Sequence, residues 1–254
     1  MKIVILGTGN VATQLGIAFQ KARHSVIQVY GRNKSHAEEL SEKLKTDFTT
    51  DIKKIYAGAD VYLIAMTDSS IETFSKKLAP EKKLIAHTSG SVSIEVFKNR
   101  FSNYGVFYPL QTITKNSTVN FRSAPLCIEA NNNDAQQKLV KLAKSLSDAI
   151  YVINSEERKI IHLAAVFVSN FTNHLFHIGE TILKDSNLSF DLLKPLITET
   201  IHKLKNQSPA ESQTGPAVRN DKVIIERQLK MLKKYPAFKK IYKDITQSIQ
   251  QAKK

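Results

Sequence analysis

Lys2-Ile-Val-Ile-Leu-Gly-Thr-Gly-Asn-Val-Ala12 opens the chain with five strand-like residues, a glycine turn and the first residues of a helix. Gly7, Gly9 and Ala12 fit the G-x-G-x-x-A dinucleotide-binding fingerprint, and the pattern gains its meaning from standing between a strand and a helix. Gly7 allows the tight turn, Gly9 lets a pyrophosphate approach the backbone, and Ala12 lets helix and strand pack closely. The amide groups at the helix start then face the phosphates. Gly7, Thr8, Gly9, Asn10 and Val11 are therefore candidate cofactor-binding residues.

Outward from this stretch, strand-like and helix-like segments alternate, as a doubly wound sheet requires. Helical patterns cover 11–21 and 34–45; strand patterns cover 25–30, 60–66, 83–86, 104–107, 124–129 and 150–153. Ser69 and Glu72 have capping-box spacing for a helix after the 60–66 strand. Beyond Asn154 strand signals stop, and helices are expected over 155 to about 185, opened by a Ser155 cap, and over 190–205, 221–235 and 236–251. A polar stretch broken by proline and glycine, 207–220, separates the second from the third. The expected fold is α/β: an N-terminal doubly wound Rossmann domain, 1–153, with a C-terminal all-helical domain, 154–254, for substrate and dimerisation.

The cofactor type is read at Tyr30-Gly-Arg-Asn-Lys-Ser35, where an NAD site usually carries an acid for the ribose 2′-hydroxyl. Arg32 can fork onto a 2′-phosphate instead, with Asn33, Lys34 and Ser35 beside it, so NADP is the expected cofactor. Met66 and Thr67 follow one strand, and His87, Thr88 and Ser89 follow the next, at the carboxyl edge where such sheets bind ligands. His87 can serve the reaction or simply fix its loop. Ser89 lies in no G-x-S-x-G elbow, which disfavours a nucleophilic role.

In the helical region His162, Asn170 and His174 are spaced by multiples of four and read as a polar stripe on an otherwise apolar helix. The stripe can carry a proton donor and a carbonyl-orienting amide. Arg219, after Gly215 and Pro216, can aim a guanidinium at a substrate carboxylate or simply belong to the cap of the next helix. His87, His162, Asn170, His174 and Arg219 are the candidate catalytic residues, expected to border one cleft with the glycine loop. No acidic or cysteine ligand accompanies the histidines at a zinc-like spacing, so no metal is expected.

Composition narrows the class further. One cysteine, Cys127, allows no intrachain disulfide, and residues 1–19 hold no continuous apolar segment of the signal-peptide kind, so a cytoplasmic location is expected. The formal net charge of +14 would suit nucleic acid or an acidic membrane. The C-terminal lysines alternate with Leu232, Phe238, Ile241 and Ile245 at helical spacing, however, and read as a solvated helix face. The expected partners are a small-molecule substrate and a second copy of the chain, with neither nucleic acid nor membrane.

Jointly, Leu6-Gly-Thr-Gly-Asn-Val11, His87-Thr-Ser-Gly-Ser91, Val106-Phe-Tyr-Pro-Leu-Gln111, Ile161-His-Leu-Ala-Ala-Val-Phe-Val-Ser-Asn-Phe171 and Thr214-Gly-Pro-Ala-Val-Arg-Asn-Asp221 carry a resemblance over essentially the whole chain. It resembles the bacterial NADP oxidoreductases that join a Rossmann-like domain to a C-terminal domain of unknown function, number 2520. More distantly it is similar to pyrroline-5-carboxylate reductases and β-hydroxyacid dehydrogenases, whose helical second domains often dimerise. The hydroxyacid dehydrogenases use a helix lysine four residues before an asparagine; with Asn170 as that asparagine, Val166 stands where the lysine would be, so their proton donor is not implied. No reaction comes with the bacterial NADP oxidoreductase family; the expected activity is hydride transfer between NADPH and a small carbonyl or imine compound. A non-catalytic NADP-binding sensor or partner-binding protein is the alternative.

Overall fold

The computed structural model describes residues 1–79, 84–115 and 119–252. Two compact units divide at Asn170/Phe171. The first begins β1 (Lys2–Leu6), α1 (Asn10–Lys21), β2 (Ser25–Tyr30), α2 (Lys34–Leu44), β3 (Asp47–Thr49), β4 (Val61–Ile64), α3 (Asp68–Ser75) and β5 (Ile85–His87). It continues with β6 (Tyr104–Pro109), β7 (Leu126–Ala130), α4 (Asn133–Lys144), β8 (Ile150–Val152) and α5 (Ser155–Ala165). The eight strands form one sheet in the order β3-β2-β1-β4-β5-β6-β7-β8. The expected strand 83–86 begins on a residue outside the described set, and β3 is too short for a periodic pattern to announce it.

Period-two alternation builds the two-sided core. In β1, Ile3 and Ile5 face one apolar layer with Leu15, Phe19 and Leu63, while Val4 and Leu6 face the other with Tyr62, Ile64 and Phe97. β1 to β6 run parallel; β7 is antiparallel to β6, and β8 runs parallel to β7. The reversal has a local cause, since between β6 and β7 the described chain holds only a single 3₁₀ turn, Phe121–Ser123, and no crossover helix.

Two expected caps are corrected. α3 starts at Asp68 with Thr67 before it, so Ser69 lies inside the helix. α5 is opened by Asn154, one residue earlier than expected: its side chain accepts from Glu157 N–H while the Glu157 carboxylate accepts from Asn154 N–H. The expected single helix 155–185 is also interrupted. Val166–Phe171 forms a wider π turn between α5 and the next helix, in a stretch whose β-branched and aromatic residues and Ser169-Asn170 are poor helix formers.

The second unit comprises α6 (Thr172–Lys184), α7 (Lys194–Lys203), α8 (Lys222–Met231) and α9 (Pro236–Ala252). A 3₁₀ turn, Phe190–Leu193, precedes α7 and another, Leu232–Lys234, follows α8. Leu175, Ile178, Leu232, Phe238, Ile241 and Ile245 help line an apolar cavity of about 320 Å³. Lys230, Lys233, Lys234, Lys240 and Lys243 are exposed, the solvated face expected of them. Among the described residues no helix is long and apolar enough to cross a membrane.

Candidate functional site

The loop after β1 is built for a close approach. Gly7 has φ +136°, and a Cβ there would strike the Ala65 carbonyl, so no other residue fits without strain. Its N–H donates to Tyr30 O at 2.8 Å, which ties the loop to the end of β2. Gly9 caps α1 with extended backbone and no side-chain hydrogen bond, and a Cβ on it would meet nothing within 4 Å. The first amides of α1 are thus left facing open space, an anion site by geometry and dipole. Asn10 is exposed and donates to Ile113 O at 3.2 Å; Thr8 and Val11 are half-buried beside it.

At the end of β2, Asn33 has a local duty, since its side chain accepts from His36 N–H and caps α2. Arg32 and Lys34 are exposed, and α2 carries no acid in its first turn. The β2 end is therefore positive where an NAD site is negative.

The carboxyl ends of β4 and β5 continue this edge. Met66 is half-buried against the glycine loop, and exposed Thr67 shares a 2.9 Å hydrogen bond with Ser70. His87 is fully buried, with its Nδ1 accepting from Ser89 N–H at 3.2 Å, which assigns the ring proton to Nε2. Burial, seconded by the Arg158 guanidinium, pushes its pKa from 6.5 down to about 3. His87 is thus a neutral group that shapes its loop. Thr88 N–H donates to Ile64 O at 3.1 Å, and Ser89 Oγ accepts from Ser91 and Val92 N–H at 3.1 and 3.0 Å. Ser91 Oγ in turn donates to Asp68, linking this loop to the start of α3.

α5 reaches the same edge because β8 runs against β1–β6, so the helix that folds back from β8 travels toward their carboxyl ends. Ser155, Arg158 and His162 share one of its faces. Arg158, fully buried, pairs with Glu129 of β7 and donates from Nε to Ser89 O at 3.2 Å and from its fork to Val92 O. Ser155 Oγ donates to Glu129 at 2.8 Å and accepts from Ile94 N–H at 3.2 Å. One turn past Arg158, His162 Nδ1 lies 3.0 Å from the Tyr108 hydroxyl. Gly90 is the floor beneath both rings: a Cβ there would sit 2.7 Å from His162 Nδ1 and 2.8 Å from Tyr108 Cζ. Burial pushes the Tyr108 phenol up to about 12, so it stays protonated at neutral pH.

Gly7 to Val11, Met66, Thr67, His87, Thr88, Ser89 and His162 thus belong to one edge of the first unit. Asn170 does not continue the expected stripe, because it is exposed and lies on the π turn, whose wider pitch shifts the register that a spacing of four presumes. His174 and Arg219 are exposed residues of the second unit; there Asp221, not Arg219, caps α8 by accepting from Ile224 N–H at 3.1 Å. Tyr108, Arg158 and Glu129 are additions. Arg158 standing four residues before His162 was the available signal, since a shared helix face sends both to one neighbour.

Two family models match, one described as NADP oxidoreductase, coenzyme F420-dependent, over residues 2–90, the other a domain of unknown function, number 2520, over 124–249. Among solved structures, a protein from Bacteroides fragilis described as a putative NADP oxidoreductase is 38% identical, with a TM-score of 0.94 and coverage of 98% of each chain. The chain belongs to this NADP oxidoreductase family. An imine reductase from Myxococcus stipitatus in complex with NADP+ is 13% identical, with a TM-score of 0.70 over 99% of this chain and 94% of that one. A reductive aminase from Aspergillus terreus, in complex with NADPH and ethyl levulinate, is 14% identical, with a TM-score of 0.75 over 99% and 93%. These two share the fold. A search of curated proteins returned no match.

Proposed function

We propose that this oxidoreductase transfers a hydride between NADPH and a small carbonyl or imine compound, as a cytoplasmic homodimer. The observation that carries the reading is the pair of anion sites on one edge: the uncapped start of α1 over open Gly9, and Arg32 with Lys34 where an acid would repel a 2′-phosphate. Bound there, NADPH would supply a hydride, two electrons with one proton, to the substrate carbon. The α1 amides hold the pyrophosphate and Arg32 takes the 2′-phosphate. Buried His87 holds the Thr88-Ser89 loop as the floor of the nicotinamide side. Asn170, an exposed polar side chain of the first unit, is proposed to meet the substrate. Its class is suggested by the imine reductase and reductive aminase that share the fold.

The second copy is supported by exposed apolar residues. α5 and the π turn expose Ile160, Leu163, Phe167 and Val168, and the second unit exposes Leu192, Leu196, Ile201 and Leu204. Faces of this kind are seldom left wet. Light scattering at micromolar concentration should give the mass of two chains; a one-chain mass counts against the dimer.

Cofactor choice is tested by calorimetry. Arg32→Asp should weaken NADPH binding by about 1.5–3 kcal/mol and NADH binding less. NADH binding tighter than NADPH in the unmutated protein would sink the assignment. Turnover is tested by following nicotinamide absorbance with keto acids, aldehydes and cyclic imines.

A further inference from the structure

We propose that His162 is the proton donor of this reaction and that Tyr108 is the positioning residue that fixes its ring, an inference that rests on the hydride-transfer reading above. A carbonyl or imine that gains a hydride at carbon pushes its π pair onto oxygen or nitrogen, and that atom needs a proton. Its donor must stand on the carboxyl edge of the sheet, on the far side of the switch point from β2, because that is where a dinucleotide's nicotinamide half lies. The strand order β1-β4-β5-β6 puts Tyr108 three strand spacings, about 14 Å, from the glycine loop along that edge.

The geometry singles out His162 among the groups there. His87 is sealed in the core and Tyr108 is 8% exposed, whereas His162 is only half-buried and has one ring nitrogen engaged, Nδ1 with the Tyr108 hydroxyl. In the imidazolium form Nδ1–H donates to Tyr108 Oη and Nε2–H is the proton available to a ligand. Transfer breaks the Nε2–H bond and forms O–H or N–H on the substrate. The ring is left neutral, still donating from Nδ1 to Tyr108, and water restores the Nε2 proton. Gly90 makes the arrangement possible, since any side chain would occupy the space of both rings.

The charged and titratable groups around the pair come from every neighbouring element: Arg158 on α5, Glu129 and Cys127 on β7, His87 at the end of β5 and Asp68 on α3. Arg158 and Glu129 satisfy each other, and the Tyr108 phenol, held protonated, is a neutral partner for the ring.

The test uses full-length protein. His162→Gly should lower kcat at least a hundredfold while the Kd for NADPH, read by fluorescence, stays within twofold, and added imidazole should restore part of the rate. Tyr108→Phe should lower kcat about tenfold with little change in KM. The wild-type kcat should fall on the alkaline side of its pH profile, and His162→Asn should lack that limb. Apart from turnover, nitrogen chemical shifts of His162 should show one dominant neutral tautomer in wild type and a mixture in Tyr108→Phe. Full-rate His162→Gly, or identical tautomer balance in the two proteins, overturns the inference while leaving the hydride reading intact. A wild type that turns over none of the carbonyls and imines overturns both.

Discussion

The two units bury their residues very differently. The first closes two apolar layers around a sheet and satisfies a buried arginine on all sides; in the second, among the described residues, only Ala217 and Leu232 fall in the buried class. Its four helices leave an apolar cavity inside and leucines outside. A sheet unit of this kind carries its stability within one chain, whereas helices with so little covered surface depend on being covered by something else.

The strongest challenge to that contrast is Arg158→Met. It strands Glu129 and removes the donors to Ser89 O and Val92 O, so unfolding of the sheet unit should lose about 3–5 kcal/mol in urea titrations. A loss below about 1 kcal/mol would mean the first unit is not held as described.

Acid sharpens the same point. The His87 ring has a folded pKa of about 3 against 6.5 outside the fold, so above 6.5 it is neutral in both states and costs nothing. As pH falls from 6.5 toward 3 the unfolded chain takes up a proton that the folded one refuses, and stability drops by up to about 1.4 kcal/mol per pH unit. At pH 5 the wild type should have lost about 2 kcal/mol more than His87→Asn, each measured against its own value at pH 7. Equal acid losses in the two proteins would show that His87 is accessible to protons.

On the helical side, Leu196→Asp places a charge where a leucine is 63% exposed. It should weaken self-association at least tenfold, about 1.4 kcal/mol, by sedimentation at several concentrations. An unchanged association constant would place the interface elsewhere and leave the openness of the second unit unexplained.

How much could be read beforehand follows the same divide. The strand β1, the glycine turn and α1 were legible because apolar periodicity and glycine placement act locally, and the positive β2 end was legible because one missing acid is a local fact. The carboxyl-edge residues Met66 to Thr67 and His87 to Ser89 came from strand ends alone. Glu129 was hidden because its partner Arg158 lies on a different element, brought near by the β7 reversal, which no periodicity encodes. Asn170 was misread in its setting because a spacing of four presumes an unbroken α-helix, and Val166–Phe171 breaks it.

β6 outruns β5: Val106 pairs with His87, but Phe107, Tyr108 and Pro109 pair only with β7. Phe107 belongs to one core layer and Tyr108 to the other. The hydroxyl beside His162 is therefore a matter of parity. Slide this strand by a single residue and a phenyl or a pyrrolidine ring takes its place, while a slide of two restores the facing but loses the phenol. Among homologues, insertions and deletions before Tyr108 should be compensated within β6 itself, because arithmetic, rather than side-chain chemistry, is what that ledge of sheet enforces.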